Sequence, residues 1–388
     1  MVRGTDARRW SALAGEQQQK VSTLELFFDL VFVFTLTQLA SLLRHDPTFE
    51  GAARTVLVFS VLYWMYGGYV WLTNRVSPNL ALRRLLLICG MAGFFICALA
   101  APEAFGSSGL AFGLGYLGVI IVHAALYGDE VGWSVLVRFA PFNLVSAGFV
   151  LGAALLEGPA VYLAWVVAIV IQFITPFIAA RVAPGFDIRS DHFVERHGLI
   201  MIVALGESIV AVGIGASHLE LDVSVVIALL LGLALSSALW WTYFVGDEEA
   251  AVVAMASVDA GGRFRIAING FFYSYIPMLL GIVILAAALE EAIADSSHSL
   301  STPFALALGG GVALYLLGDL CFRRVMGIEP RVFRLCGALL TLATIPVGRF
   351  VSASMQLAAL VVILIAMLLL ETRSTRLKPP LAESQTPA

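Results

Sequence analysis

Charge is scarce in this chain of 388 residues: 13% of its side chains are Asp, Glu, Lys or Arg, about half the share in a soluble domain. What charge there is sums to -4, so the basic excess that phosphate backbones require is missing and nucleic acid is not an expected partner. Cysteine is rarer still. Cys89, Cys97, Cys321 and Cys336 lie in apolar stretches without CxxC spacing or a histidine at ligand distance, which excludes a disulfide framework and a zinc site and reads as buried small hydrophobes. No metal and no cofactor is expected. No nucleotide fingerprint and no serine, histidine and acid cluster occurs in the loops, which are too short for a soluble catalytic domain, so the chain is not read as an enzyme. The first 21 residues are too polar for a signal sequence, and the apolar segment behind them lacks a small-residue cleavage site, so the first helix is expected to stay.

What the chain has in abundance is oil: 60% of its residues are hydrophobic. A helix crossing a hydrocarbon core of about 30 Å needs roughly 20 mainly apolar residues. Such runs recur near 22–43, 54–74, 82–100, 109–127, 139–156, 159–179, 197–216, 224–245, 266–289, 304–322, 332–350 and 352–370. The expected fold is therefore all-α, a polytopic membrane protein of about twelve transmembrane helices. Cytoplasmic loops collect Lys and Arg, and with twelve crossings all of the 23 basic residues except Arg44, Arg54 and Arg349 fall on the side of the N-terminus. Both termini are then cytoplasmic, and the lipid bilayer is the expected solvent.

The two halves echo each other. Trp71-Leu72-Thr73 is answered by Trp240-Trp241-Thr242, Leu126-Tyr127-Gly128-Asp129 by Leu316-Leu317-Gly318-Asp319, and Arg138 by Arg331. Since six is even, a duplicated unit would enter the membrane in the same direction twice, giving two parallel six-helix repeats. The expected division is a cytoplasmic tail over 1–21, a first repeat over 22–180, a cytoplasmic linker over 181–196, a second repeat over 197–370 and a disordered cytoplasmic tail over 371–388. Chance likeness between apolar helices is the competing explanation.

A carboxylate at the bilayer centre costs about 2.5–3.5 kcal/mol, so each one needs a reason. Glu25 and Asp29 lie one turn apart on one face of the first helix, and Glu207 interrupts the apolar run around Leu205 and Ile209. Glu25 also fits a capping box with Ser22. Asp29 is too deep for capping, and Glu207, about 15 Å from either end of its run, is a candidate proton carrier with Arg196 as a distant partner. For both, hydrogen bonding that merely fixes helix packing is the plainer alternative. His123, Asn143 and Asn269 reach similar depths and suggest a cytoplasm-facing polar vestibule leading toward Glu207. Pro277 removes a backbone bond inside the ninth run, as a kink or a broken helix. Gly309-Gly310-Gly311 reads as close helix packing.

The strings Leu24-Glu25-Leu26-Phe27-Phe28-Asp29-Leu30-Val31-Phe32-Val33, Thr73-Asn74-Arg75, Glu195-Arg196-His197-Gly198-Leu199 and Leu205-Gly206-Glu207-Ser208-Ile209-Val210 resemble the bacterial low temperature requirement protein A (LtrA) family from about residue 20 to 371. His197 stands where the family pattern commonly has an aromatic residue. The resemblance implies a polytopic bacterial membrane protein linked by name to growth in the cold, without a defined substrate.

Two functions follow as expectations. In the first, the chain is a secondary transporter or permeation protein in which Asp29, Glu207 and Glu25 bind a cation, proton or small solute, supported by Arg196, His123, Asn143, Asn74 and Ser208. In the second, it transports nothing, binds lipid or a partner and supports envelope function in the cold. Sequence does not indicate an oligomeric state.

Overall fold

A computed structural model describes residues 21–75, 80–131, 133–182 and 188–376, and its described residues are helical with no strand. The helices are α1 Thr23–His45, α2 Phe49–Arg75, α3 Ala81–Ala100, α4 Gly109–Val131, α5 Trp133–Ala153, α6 Pro159–Val182, α7 Ser190–Ala216, α8 Val223–Phe244, α9 Asp247–Ala256, α10 Ala260–Ile266, α11 Tyr275–Ala294, α12 Thr302–Met326, α13 Val332–Leu342, α14 Ile345–Phe350 and α15 Ala353–Arg376. Among the described residues, eleven helical segments are long and apolar enough to cross a membrane, and Ala140–Ala153 within α5 is a shorter apolar helix at the expected fifth position. The tail expected over 1–21 lies almost wholly outside the described residues, as does everything after 376.

Several boundaries differ from the sequence reading, each for a local reason. The linker expected over 181–196 is already helical from Ser190, so Arg196 sits inside α7. Glu371, placed in a disordered tail, lies on α15 and is buried. The eighth run ends where Gly246 takes φ 109°, a left-handed turn that L side chains rarely adopt, and the chain then continues as α9. In the ninth run the irregularity precedes Pro277. Residues Ala267–Tyr273 form a π-helix, and Ser274 N donates to Asn269 O at 3.2 Å. Pro277 has no N–H for the carbonyl four residues back, and the wide turn ends just there. The eleventh run is two helices, α13 and α14. Of the cysteines, Cys97 alone is buried; Cys89, Cys321 and Cys336 face outward, which corrects the expectation for those three.

Burial sorts the helices into a centre and a rim. In the apolar window of Ala260–Ala294, 78% of residues are buried inside the protein, against 39% for the window that includes α8 and 39% for α15. Leu163, Leu230 and Val362 are among many large hydrophobics left exposed, a surface that suits lipid and not water. At the centre, α11 and α12 touch backbone to backbone. A Cβ on Gly281 would lie 2.7 Å from Gly311 O, and one on Gly311 would lie 2.9 Å from Gly281 O. Gly311 therefore packs helices, as expected of the triple glycine.

Candidate functional site

α1 opens with a capping box. Ser22 Oγ accepts from Glu25 N at 3.3 Å, and Glu25 Oε2 accepts from Ser22 N at 2.8 Å and Ser22 Oγ at 2.7 Å. The other carboxylate oxygen does different work: Glu25 Oε1 lies 3.3 Å from Arg196 Nη1 and 3.4 Å from His192 Nε2. One turn on, Asp29 Oδ1 accepts from Arg196 Nη2 at 2.8 Å and from Tyr66 OH at 2.9 Å. Asp29 and Arg196 are 0% and 1% exposed, and Asp29 Oδ2 is buried without a hydrogen bond. One guanidinium thus serves two carboxylates.

Asn74 prepares this cluster from α2. Its Oδ1 accepts from Arg189 N at 3.0 Å, which fixes the amide, and its Nδ2 then reaches Arg189 O at 3.1 Å and His192 Nδ1 at 3.3 Å. An amide nitrogen can only donate, so Nδ1 is the acceptor and the imidazole proton sits on Nε2, facing Glu25. Glu25, Asp29, Arg196 and Asn74 are therefore brought together, joined by His192, Tyr66 and Arg189. Those three escape sequence reasoning because their roles depend on α2 and α7 meeting α1.

Glu207 stands apart from this group. Arg196 faces Glu25 and Asp29 rather than Glu207, which lies eleven residues or about 16 Å further along α7. Its hydrogen-bond partner is Thr37, whose Oγ1 lies 2.7 Å from Glu207 Oε2. Thr37 Oγ1 is also 3.4 Å from Val33 O, so the hydroxyl has a second acceptor within reach. Glu207 is 6% exposed, and no described cation lies within ion-pair distance of it. Because α7 starts earlier than expected, Glu207 is about 14 Å from the C-terminal end of the helix and about 26 Å from its start. Ser208 is buried with its hydroxyl unbonded and does not join Glu207. The contacts Glu25 with His192, Asp29 with Arg196 and Thr37 with Glu207 advance together along both helices, so α1 and α7 run in parallel.

The expected vestibule is only partly present. His123 and Asn143 do line one cavity, together with Trp64, Trp71 and Phe272, but its walls are mainly apolar and Glu207 is not among them. Asn269 is exposed and donates to Arg265 O at 2.9 Å. The helices bring His123 and Asn143 together with each other, not with the acids.

A second buried charge cluster went unread in the sequence. Arg323 on α12 grips Asp247 on α9 through Nε at 2.6 Å and Nη2 at 2.8 Å, and also pairs with Glu371 on α15. Arg334 on α13 lies 2.7 Å from Asp319 Oδ2 and 3.3 Å from Glu371 Oε2. Arg323 and Arg334 pass in sequence for ordinary loop charges and Glu371 for tail. The available signal was Asp319, an acid near the C-terminal end of the apolar run of α12. Among the described residues no group of three or more His, Cys, Asp or Glu is placed to hold a metal ion.

His197, the departure from the family pattern, is buried in an aromatic nest. Its ring lies 4.4 Å from Phe193, 4.8 Å from Phe271 and 5.4 Å from Tyr275, centroid to centroid, and Nδ1 donates to Phe193 O at 2.8 Å. It fills the space of an aromatic ring.

The chain is similar to a protein of Rhizobium meliloti (strain 1021) named "Uncharacterized protein RA0937", with 31% identity over 330 residues covering 81% of this chain and 80% of that protein. The family model described as "Bacterial low temperature requirement A protein (LtrA)" matches residues 20–369, which takes in both buried acids of α1, the α2 motif and Glu207. With a match spanning nearly all the apolar helices, the chain belongs to the bacterial low temperature requirement A family of multi-pass membrane proteins.

Proposed function

We propose that this LtrA protein is a secondary transporter or ion-permeation protein, not an enzyme, and that Glu207 is its exchangeable proton or cation site. The observation that carries this reading is a contrast among the described buried carboxylates. Glu25, Asp29, Asp247, Asp319 and Glu371 each face an arginine, whereas Glu207 faces a hydroxyl. Acids locked to guanidinium groups fix helices against one another and gain nothing by exchanging their charge. An acid whose charge has no partner is relieved by a proton or a small cation. Thr37 suits both states. Its hydroxyl donates to an ionised Glu207, and it can turn to Val33 O and accept from a protonated one.

The same contrast reassigns Asp29 and Glu25, together with Arg196 and Asn74, to holding α1, α2 and α7 in register. The bacterial cytoplasmic membrane, with both ends of the chain on the cytoplasmic side, completes the proposal and rests on the distribution of Lys and Arg. The alternative, a non-transporting component that binds lipid or a partner, is favoured by the two arginine clusters, since they are what a purely structural set of intramembrane charges looks like. Purified protein in liposomes loaded with a pH-sensitive dye separates the two readings. After an acid step with valinomycin and potassium present, wild type is expected to equilibrate pH faster than empty vesicles, and Glu207→Gln is expected to lose that excess rate. Equal rates from wild type and the variant would remove Glu207 from the mechanism.

A further inference from the structure

The cavity that holds His123 and Asn143 lies among α2, α4, α5, α6, α10 and the π-helix, and its volume is about 160 Å³. A dry protein cavity of about 150 Å³ accommodates a benzene molecule, so this one matches a single ring. No Asp, Glu, Lys or Arg is among the described residues of its walls, which favours an uncharged occupant.

One polar group on the described wall is left with bonding capacity. Trp64 Nε1 donates to Asn143 Oδ1 at 3.0 Å. That bond consumes an acceptor of the amide and fixes its orientation, so the NH2 end is the free one. His123 adds no second group, because its Nε2 is closed off from the cavity against the Gly68 backbone. The ring is held in place, with Tyr69 and Tyr127 at 5.2 and 5.6 Å between centroids, and a Cβ on Gly68 would come within 3.2 Å of His123 Nε2. A free amide donor, set in a mainly apolar wall inside an apolar bundle, leaves a polar group that a native structure normally pairs. Trp64, Trp71 and Phe272 line the space as apolar rings, while Asn143 offers a bond to an oxygen.

We propose that this cavity is a binding site for a neutral, ring-sized molecule bearing one hydrogen-bonding oxygen, a phenol or a small aromatic carbonyl compound, with its oxygen directed to the Asn143 amide. The assignment stands independently of Glu207, which does not line the cavity.

The probe is 4-fluorophenol, followed by fluorine NMR with the full-length protein in lipid nanodiscs, empty nanodiscs supplying the partition background. Saturable binding above that background is expected, with fluorobenzene, which lacks the oxygen, at least about tenfold weaker. Asn143→Leu is expected to weaken 4-fluorophenol by about tenfold while leaving fluorobenzene unchanged, a split that general damage to the fold would not produce. Ala124→Trp, which fills the space, is expected to abolish both. The proposal is overturned if wild type shows no saturable binding, if fluorobenzene binds as well as 4-fluorophenol, or if Ala124→Trp, melting like wild type, binds undiminished.

Discussion

Arg196 and Asp29, 167 residues apart in the chain, meet at 2.8 Å with both side chains withdrawn from the surface, and Glu25 takes the second edge of the same guanidinium. The pair joins α1 to α7 about 9 Å inside the start of each helix. Removing one partner of a buried pair strands the other charge at a cost of about 3–5 kcal/mol. Arg196→Leu is therefore expected to lower the unfolding temperature in detergent strongly. The double variant Asp29→Leu with Arg196→Leu should lose less than the sum of the single changes, a coupling that a double-mutant cycle on thermal unfolding reads directly.

The Arg323 cluster allows an internal comparison between buried and exposed pairs. Arg323→Met breaks the bidentate grip on Asp247 and the contact with Glu371, all buried, and should cost several kcal/mol. Arg331, exposed and paired with Glu329, should cost about 1 kcal/mol or less on substitution by Met. Chemical unfolding of the two variants side by side checks the ranking; equal losses would mean that the α12 cluster is wet.

Glycines of α12 should divide by what lies opposite them. Gly311→Ala drives a methyl group to within 2.9 Å of the α11 backbone and should destabilise by about 1–3 kcal/mol. Gly310 has nothing within 4 Å of its added Cβ, so Gly310→Ala should be neutral or raise stability by about 0.5–1 kcal/mol through helix propensity. Unfolding curves of the two single variants decide this.

His197→Phe restores an aromatic ring at the position where the family pattern commonly has one. It sacrifices one bond to Phe193 O and keeps the contacts with Phe193, Phe271 and Tyr275. The expected change in stability is within about 1 kcal/mol, since the bond and the added apolar contact offset each other. His197→Ala, which opens a cavity among the rings, should cost about 2–5 kcal/mol by the same assay.

The apolar runs made the membrane fold legible, because a stretch long enough to cross lipid needs no knowledge of its neighbours. The capping role of Glu25 was legible for the same reason: Ser22 and Glu25 are three residues apart and meet within one turn. Arg196 was offered to Glu207 only as a distant partner, and its pairing with Glu25 and Asp29 was not foreseen because helical spacing says which residues share a face but not which helix that face meets. The partners of Asp29, namely Tyr66 and Arg196, come from α2 and α7 and required the packing. The Arg323 cluster was missed because arginines near helix ends resemble loop charge until α9, α13 and α15 close around them. His123 and Asn143 were seen as polar residues at a common depth, yet Glu207, the acid they were expected to serve, does not line the cavity they share.

The central claim is that Glu207 changes its protonation in the folded protein while the arginine-bound acids do not. Infrared difference spectroscopy during a pH titration of the protein in lipid observes the carboxyl stretch itself. A protonated-carboxyl band that grows on acidification in wild type, persists in Asn143→Leu and vanishes in Glu207→Gln is the predicted result. The same band in Glu207→Gln, or no titrating band in wild type, would contradict it.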